Sequence, residues 1–262
     1  LFHRNKRIMT PTQAGKIYLE NAREILKIKK NTYSMINDLA ASSTGELRLG
    51  LTWEHGVDMY TEILPEFMKY HPHFSVRLYE RNVAQQHQMI LSDHLDLGFV
   101  LLQEKDRIDA NYLSICHEEM LLAIPRSHPL ASFAAPPGQP LTYISLSLFK
   151  NEMFSLLFKG STMRSIIDHQ FLEAGFEPDI LFETSMNAVL QKMVAKGLCC
   201  AIFPQSYAHS TNEVACFRLE GNPGWDWCLV YPRGIRPGSA CTDLIHLAQK
   251  YGHEKQLQFM NI

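Results

Sequence analysis

Apolar residues recur along this chain at two different spacings, and the change from one to the other divides it. Tyr18, Ala22, Ile25, Lys29, Thr32, Ile36 and Leu39 alternate four and three apart, and five of the seven are apolar. That is the spacing of a helix that pairs with another helix, or of a surface helix lying on its own domain. Thr10-Pro11-Thr12-Gln13 has the form of a capping box, with a hydroxyl at the cap, proline first and glutamine third, so the helix is predicted to start at Thr10. No proline or glycine follows Gly15 before Gly45, and the helix is predicted to reach about Ser42.

Beyond Ser42-Ser43-Thr44-Gly45 the pattern becomes one of alternating strands and helices. Leu47, Leu49 and Leu51 alternate as in a strand, 57–70 carries apolar residues at helical intervals with Pro65 as a kink or boundary, and 75–79 reads as a strand. A helix over 85–92 and a short apolar strand over 95–100 complete a βαβαβ order, which calls for a parallel sheet with ligand sites beyond the carboxyl ends of its strands. A similar order recurs: strands at 120–125 and 143–146, a helix over 161–174 capped by Ser161, a strand at 180–183, a helix over 186–196 and a buried strand at 198–203 stopped by Pro204. A strand at 227–231 and a helix over 242–251 follow, separated by the breaker-rich run 232–238. The fold class read from this order is α/β, two Rossmann-like lobes with a cleft between them, preceded by a long linker helix.

Composition refines the picture at one point. The net charge of −2 hides a basic start: the first 30 residues hold eight Lys or Arg against two Glu, whereas the remainder holds 17 against 25 acidic residues. A basic arm on an acidic body suits a polyanion at one end, or simply a solvated amphipathic helix. The six cysteines (116, 199, 200, 216, 228 and 241) show no C-x-x-C pair or zinc spacing, which fits buried thiols in a reducing cytosol. No apolar run approaches membrane-spanning length, and charges interrupt the N-terminus too often for a signal peptide. The chain opens at Leu1 in the middle of a basic segment and reads as a truncated or processed piece.

Enzyme and metal motifs are sparse. His71-Pro72-His73 invites a metal reading, but the proline favours an extended turn and no matching ligand pair follows. No nucleophile elbow, phosphate loop or G-x-G-x-x-G run is present, and no base is oriented toward Cys116 or Cys241. No catalytic residue, metal or cofactor is assigned.

Six short motifs then converge. Leu1-Phe2-x-Arg4 leading to Thr10-x-x-x-Ala14-Gly15, Gly45-x-Leu47-x-Leu49-Gly50, Leu64-Pro65-x-Phe67 with Tyr70-x-Pro72, Leu95-Asp96-Leu97-Gly98, His128-Pro129-Leu130-Ala131, and Val194-Ala195-x-Gly197-Leu198 ending at Pro204 stand in the order and spacing of one family. The chain resembles a LysR-type transcriptional regulator over essentially its whole length, lacking most of the winged helix-turn-helix. Where that family commonly has a second glycine, Cys199 stands, a small apolar residue suited to a buried strand. The resemblance implies an effector domain shaped like the type II periplasmic binding proteins. It divides the chain into a wing remnant (1–9), a linker and dimerisation helix (10–44), lobe I (45–118 and 233–262) and lobe II (119–232).

In that arrangement strand ends and helix starts present unpaired N–H groups to the cleft. The expected effector-binding residues are Thr52, Trp53, Glu54, Phe99 and Val100 from the first lobe, and Ser145, Ser147, Thr184, Ser185, Phe203 and Gln205 from the second. Thr52, Thr184 and Ser185 serve equally as helix caps, and Trp53 and Phe99 as core aromatics. Glu54 would repel an anion and pair with an amine or cation. In the wing, Arg4, Lys6 and Arg7 have the character of phosphate contacts that position a protein on DNA without reading sequence. The expected function is effector-responsive transcriptional regulation in the cytoplasm by a homodimer or homotetramer, with duplex DNA and a small-molecule effector as partners and no membrane. A solute-binding protein of transport and an enzyme on the same two-lobed scaffold are the alternatives.

Overall fold

The computed structural model describes residues 1–4, 9–39, 44–136, 138–208 and 212–260. Strands β1 (Phe2–Arg4) and β2 (Met9–Pro11) form an antiparallel hairpin in which His3 faces Thr10. Helix α1 (Gln13–Leu39) follows, capped not by Thr10 but by Thr12, whose Oγ1 accepts a hydrogen bond from Gly15 N at 3.0 Å. Thr10 and Pro11 have the composition of a cap, yet the hairpin consumes them as strand, so the cap falls to the next hydroxyl. The expected helix end at Ser42 lies outside the described residues. Asn31 fastens the helix to the body from both ends of its amide: Nδ2 donates to Gly234 O at 3.0 Å, and Oδ1 accepts from Arg236 N at 2.9 Å.

The body begins with β3 (Gly45–Leu51), α2 (His55–Tyr70), β4 (Phe74–Glu80), α3 (Val83–Leu91) and β5 (Leu97–Leu102), the predicted βαβαβ order. β3 pairs in parallel with both β4 and β5. Helix α2 runs through Pro65, which lies inside it. Two motif residues have a packing reason: a Cβ on Gly50 or Gly98 would come within 2.5 or 2.8 Å of Gln86 Oε1. Gln86 is buried on the inner face of α3 and ties that helix to β5 by donating to Phe99 O at 3.1 Å. Asp96 of the same motif receives Arg48 N, Nε and Nη2 at 2.9–3.1 Å, an ion pair across the sheet.

Strand β6 (Ala110–Pro125) belongs to two sheets at once. The second is completed by β7 (Tyr143–Ile144), β8 (Met153–Leu157), α4 (Thr162–Ala174), β9 (Asp179–Thr184), α5 (Asn187–Ala195), β10 (Cys200–Pro204) and β11 (Val214–Leu219). Residues 120–125 of β6 pair antiparallel with β10 and β11, while β8 lies parallel to β9 and β10. Its first half, 110–119, pairs with β12 (Gly224–Pro232), which returns the chain to the first sheet beside β5. Helix α6 (Ser239–Phe259) closes the chain against α2 and β6.

Strand 224–232, expected in the second lobe, therefore pairs on the first sheet. The resemblance implied a return between the lobes after 232, whereas the chain passes from β11 to β12 through Glu220–Pro223, where Gly221 and Asn222 adopt φ of 78° and 46°. Three further differences share one cause. The first half of β6 is interrupted by Tyr112, Ser114 and His117; β8 carries a buried serine at 155; and β11 carries Arg218. Polar residues at those positions hide strands from a search for apolar alternation. One continuous core underlies both sheets, and a smaller one around Ile90, Leu95, Val100 and Val230 lies under α3.

Candidate functional site

The carboxyl ends of β3, β5, β8 and β9 and the starts of α3, α4 and α5 open on one cleft of about 350 Å³ between the sheets. Thr52, Trp53 and Glu54 leave the end of β3 along one wall, joined by Asn82–Ala84, His87 and Asp106; the other carries Gly160–Met163, Ser165, Ser185 and Asn187. A second hollow of about 410 Å³ lies around His117, His169, Glu173 and Asp226, bordered by Gln103–Lys105 just after the end of β5, and Trp225 lines both.

The helix starts are capped in different ways. Asn82 Oδ1 accepts from Gln85 N at 2.9 Å, and Gln85 returns a bond to the Asn82 N–H, a capping box on α3. Ser161 Oγ accepts from Arg164 N at 3.1 Å and caps α4, as its sequence predicts. Helix α5 has no cap from its own Met186. Instead Glu54 reaches across the cleft, and its Oε2 accepts Asn187 N at 3.2 Å and Asn187 Nδ2 at 2.9 Å. Glu54 makes this reach from a backbone at φ 57°, ψ −86°, uncommon for a residue with a side chain and costing about 1–3 kcal/mol.

Among the described residues, two buried polar atoms of the cleft wall have no hydrogen-bond partner. Thr52 Oγ1 and Asn187 Oδ1 belong to residues only 7 % and 4 % exposed, and both residues line the cavity. His87 is also buried and accepts or donates one bond with Tyr112 Oη at 2.9 Å; burial lowers its pKa, which keeps it neutral.

Behind this wall lies a charge that sequence reasoning missed. Glu118 is fully buried where β6 passes from one sheet to the other, and it accepts Ser206 N at 2.8 Å and the indole N–H groups of Trp225 and Trp227 at 2.9 Å each. His55 Nε2 stands 3.1 Å from its Oε2. Burial alone would raise the carboxyl pKa, but the His55 charge and these donors outweigh it and hold Glu118 down at about 2. Burial likewise disfavours the imidazolium, yet Glu118 raises the His55 pKa overall. Tyr207 packs edge-on to His55, its hydroxyl pushed up by burial and by Glu54. The signal available beforehand was a glutamate preceding the apolar run 120–124, and two tryptophans one residue apart.

Of the residues expected from sequence, Thr52, Trp53, Glu54 and Ser185 line the cleft. Thr184 is buried one residue back, its Oγ1 accepting Met186 N at 3.2 Å. Phe99 and Phe203 are buried in the main core and Val100 in the smaller one, because alternation along a strand turns its end residues into the layers on either side. Gln205 is buried with Nε2 donating to Phe259 O at 2.8 Å. Ser145 and Ser147 bond each other at 2.9 Å, outside the cleft lining. Lys6 and Arg7 lie outside the described residues, and Arg4 contributes backbone to β1.

His71 and His73 part company: His71 is buried with Nε2 2.8 Å from Asp243, and His73 is exposed. Among the described residues no three His, Cys, Asp or Glu side chains gather as a metal site. Burial pushes the thiols of Cys116, Cys200 and Cys216 up to about 12, which leaves them thiols and poor nucleophiles near neutral pH. Among the described residues no helix is long and apolar enough to cross a membrane.

Two sheets exchanging strands through β6 and 220–223, with strand ends and helix starts around a central cleft, define an effector-binding domain of the type II periplasmic-binding-protein kind. The chain belongs to the LysR substrate binding domain family, whose profile matches residues 40–252. It is 25% identical over 228 residues to a probable RuBisCO transcriptional regulator of Trieres chinensis, covering 84% of this chain and 71% of that one. It is equally 25% identical over 228 residues to the uncharacterized HTH-type transcriptional regulator YybE of Bacillus subtilis, covering 87% and 74%. Among solved structures, the Synechocystis PCC6803 CcmR regulatory domain in complex with 2-PG superposes with a TM-score of 0.66 at 19% identity, covering 80% of this chain and 98% of that one, a likeness of fold. The relatives are transcriptional regulators and not enzymes.

Proposed function

We propose that this chain is the linker and sensor portion of a cytoplasmic transcriptional regulator, in which a small molecule bound in the inter-sheet cleft changes the arrangement of subunits and thereby DNA binding by the intact protein. In this reading residues 1–9 are the remnant of a DNA-binding wing and 10–44 the dimerisation helix. The sensor lobes are 45–119 with 224–262, and 120–223, the division following the strand pairing of β6 and β12. Arg4, Lys6 and Arg7 make non-specific phosphate contacts, and pairing through α1 builds a homodimer that associates further into a homotetramer. The site comprises Thr52, Trp53, Glu54 and Ser185, joined by Ser161, Thr162 and Asn187; Phe99, Val100, Thr184, Phe203 and Gln205 support its walls.

One observation carries the reading: two buried, unpartnered polar atoms, Thr52 Oγ1 and Asn187 Oδ1, sit where the two sheets face each other across a cleft of ligand size. A ligand acts on the arrangement only through unequal affinity for its alternatives. A thermal-shift screen of small metabolites tests this, because a ligand at about 100 times its Kd stabilises by about 2.7 kcal/mol. The expected result is a hit that Ser185→Trp abolishes; a complete absence of hits across the metabolite set counts against ligand control.

A further inference from the structure

The charges and unpaired atoms of the cleft also define what it accepts, an inference that rests on the effector reading above. Among the described residues no lysine or arginine lines it, whereas Glu54 and Asp106 do. Arg164, on the helix that forms one wall, is turned away: Nη1 donates to Leu157 O and pairs with Glu183, and Nε pairs with Asp168. Arg107 is likewise committed, donating to Ser114 Oγ and lying 3.7 Å from Asp226. His55 is neutralised by Glu118, and burial keeps His87 uncharged.

Helix N-termini ordinarily attract anions. Here one leading N–H of each is taken by the chain itself: Gln85 N of α3 by Asn82, Arg164 N of α4 by Ser161, and Asn187 N of α5 by the carboxylate of Glu54 from the opposite wall; the start of α2, which has no side-chain cap, carries the Glu54 charge itself. A ligand carboxylate at α5 would have to displace Glu54, and at any of these starts it would meet no lysine or arginine from the described cleft lining. The unpaired atoms ask for the opposite chemistry. Asn187 Oδ1 is an acceptor, Thr52 Oγ1 accepts as well as donates, and Glu54, a carboxylate with about four acceptor sites, keeps room for a donor beyond Asn187 N, Asn187 Nδ2 and the Tyr207 hydroxyl. Trp53, 61 % exposed, supplies an aromatic face at the same wall.

We infer that the cleft takes a small organic ammonium, an amine carried on an apolar or hydroxylated frame, rather than a carboxylate or a phosphate ester. The ammonium lies against Glu54 and Asp106 and donates to Asn187 Oδ1 and Thr52 Oγ1, and the frame lies against Trp53.

Matched probes separate the two chemistries in the chain as it stands. Titration calorimetry compares benzylamine with benzoate and tyramine with 3-(4-hydroxyphenyl)propanoate, on the parent and on Glu54→Gln, Asp106→Asn and the cleft-filling Ser185→Trp, with Thr162→Trp as a second block and far-UV circular dichroism to confirm folding. Each amine is expected to bind at least about tenfold more tightly than its carboxylate partner, the scale of one partly desolvated ion pair. Glu54→Gln should remove that preference, and either blocking variant should abolish binding. Tighter carboxylate binding that the blocks abolish overturns the ammonium assignment and leaves the effector cleft standing. No binding by any probe, or binding that survives both blocks, overturns the assignment and the cleft together.

Discussion

Glu118 and His55 form a buried pair whose two halves set opposite limits on pH stability. Removing one partner of a buried pair leaves an uncompensated charge and costs about 3–5 kcal/mol, so Glu118→Gln is expected to lower the melting temperature markedly. The Glu118 pKa is depressed from its ordinary 4.5 to about 2, so its contribution is present above about 4.5 and is lost as pH falls toward about 2. The His55 pKa is raised above its ordinary 6.5, so its contribution is complete below 6.5 and is lost as pH rises through the elevated value. The pair therefore stabilises most between about pH 4.5 and 6.5. Denaturant melts of the parent and of His55→Gln across pH 5 to 9 test the alkaline side: a decline in the parent that persists unchanged in the variant would assign it elsewhere. The same residue scale explains two family motifs, since Gly50 and Gly98 make room for Gln86, and Asp96 holds Arg48.

At the scale of the element, α1 stands apart from the rest of the molecule. Tyr18, Ile25, Ile28 and Ile36 are all more than half exposed, and among the described residues Asn31 anchors the helix to the body at the turn 234–236. An apolar stripe left uncovered along a 27-residue helix fits pairing with a second copy. Ile25→Glu is expected to shift the molar mass by light scattering toward the monomer while leaving the melting of the α/β body unchanged. Unaltered mass would remove α1 from the dimer contact. The start of this helix shows how elements compete for residues: Thr10 and Thr12 both have cap chemistry, and the hairpin with β1 assigns the role to Thr12.

For the whole molecule, the chain passes between the sheets twice, through the middle of β6 and through 220–223, and the Glu54–Asn187 contact spans the cleft beside those crossings. A ligand seated against Glu54 acts on the one described contact that joins β3's end to the start of α5. Trp53, exposed at the cleft mouth, reports that event: binding is expected to change tryptophan emission, and Trp53→Phe should remove most of the change. Retention of the full signal in the variant would place the ligand away from this wall.

Local periodicity made the βαβαβ start, the Ser161 cap and the helical linker readable from the sequence, because those features depend on neighbours three or four residues apart and on one buried face. It also brought Thr52, Trp53, Glu54 and Ser185 to the cleft, since strand ends in an α/β sheet lie together. Tertiary structure alone decided that β6 serves two sheets, that 224–232 returns to the first, and that Glu118 meets His55 and two indoles. These depend on partners about 60 to 130 residues away, chosen by which arrangement pairs the buried Glu118 charge and completes the sheets, a condition that no local pattern encodes.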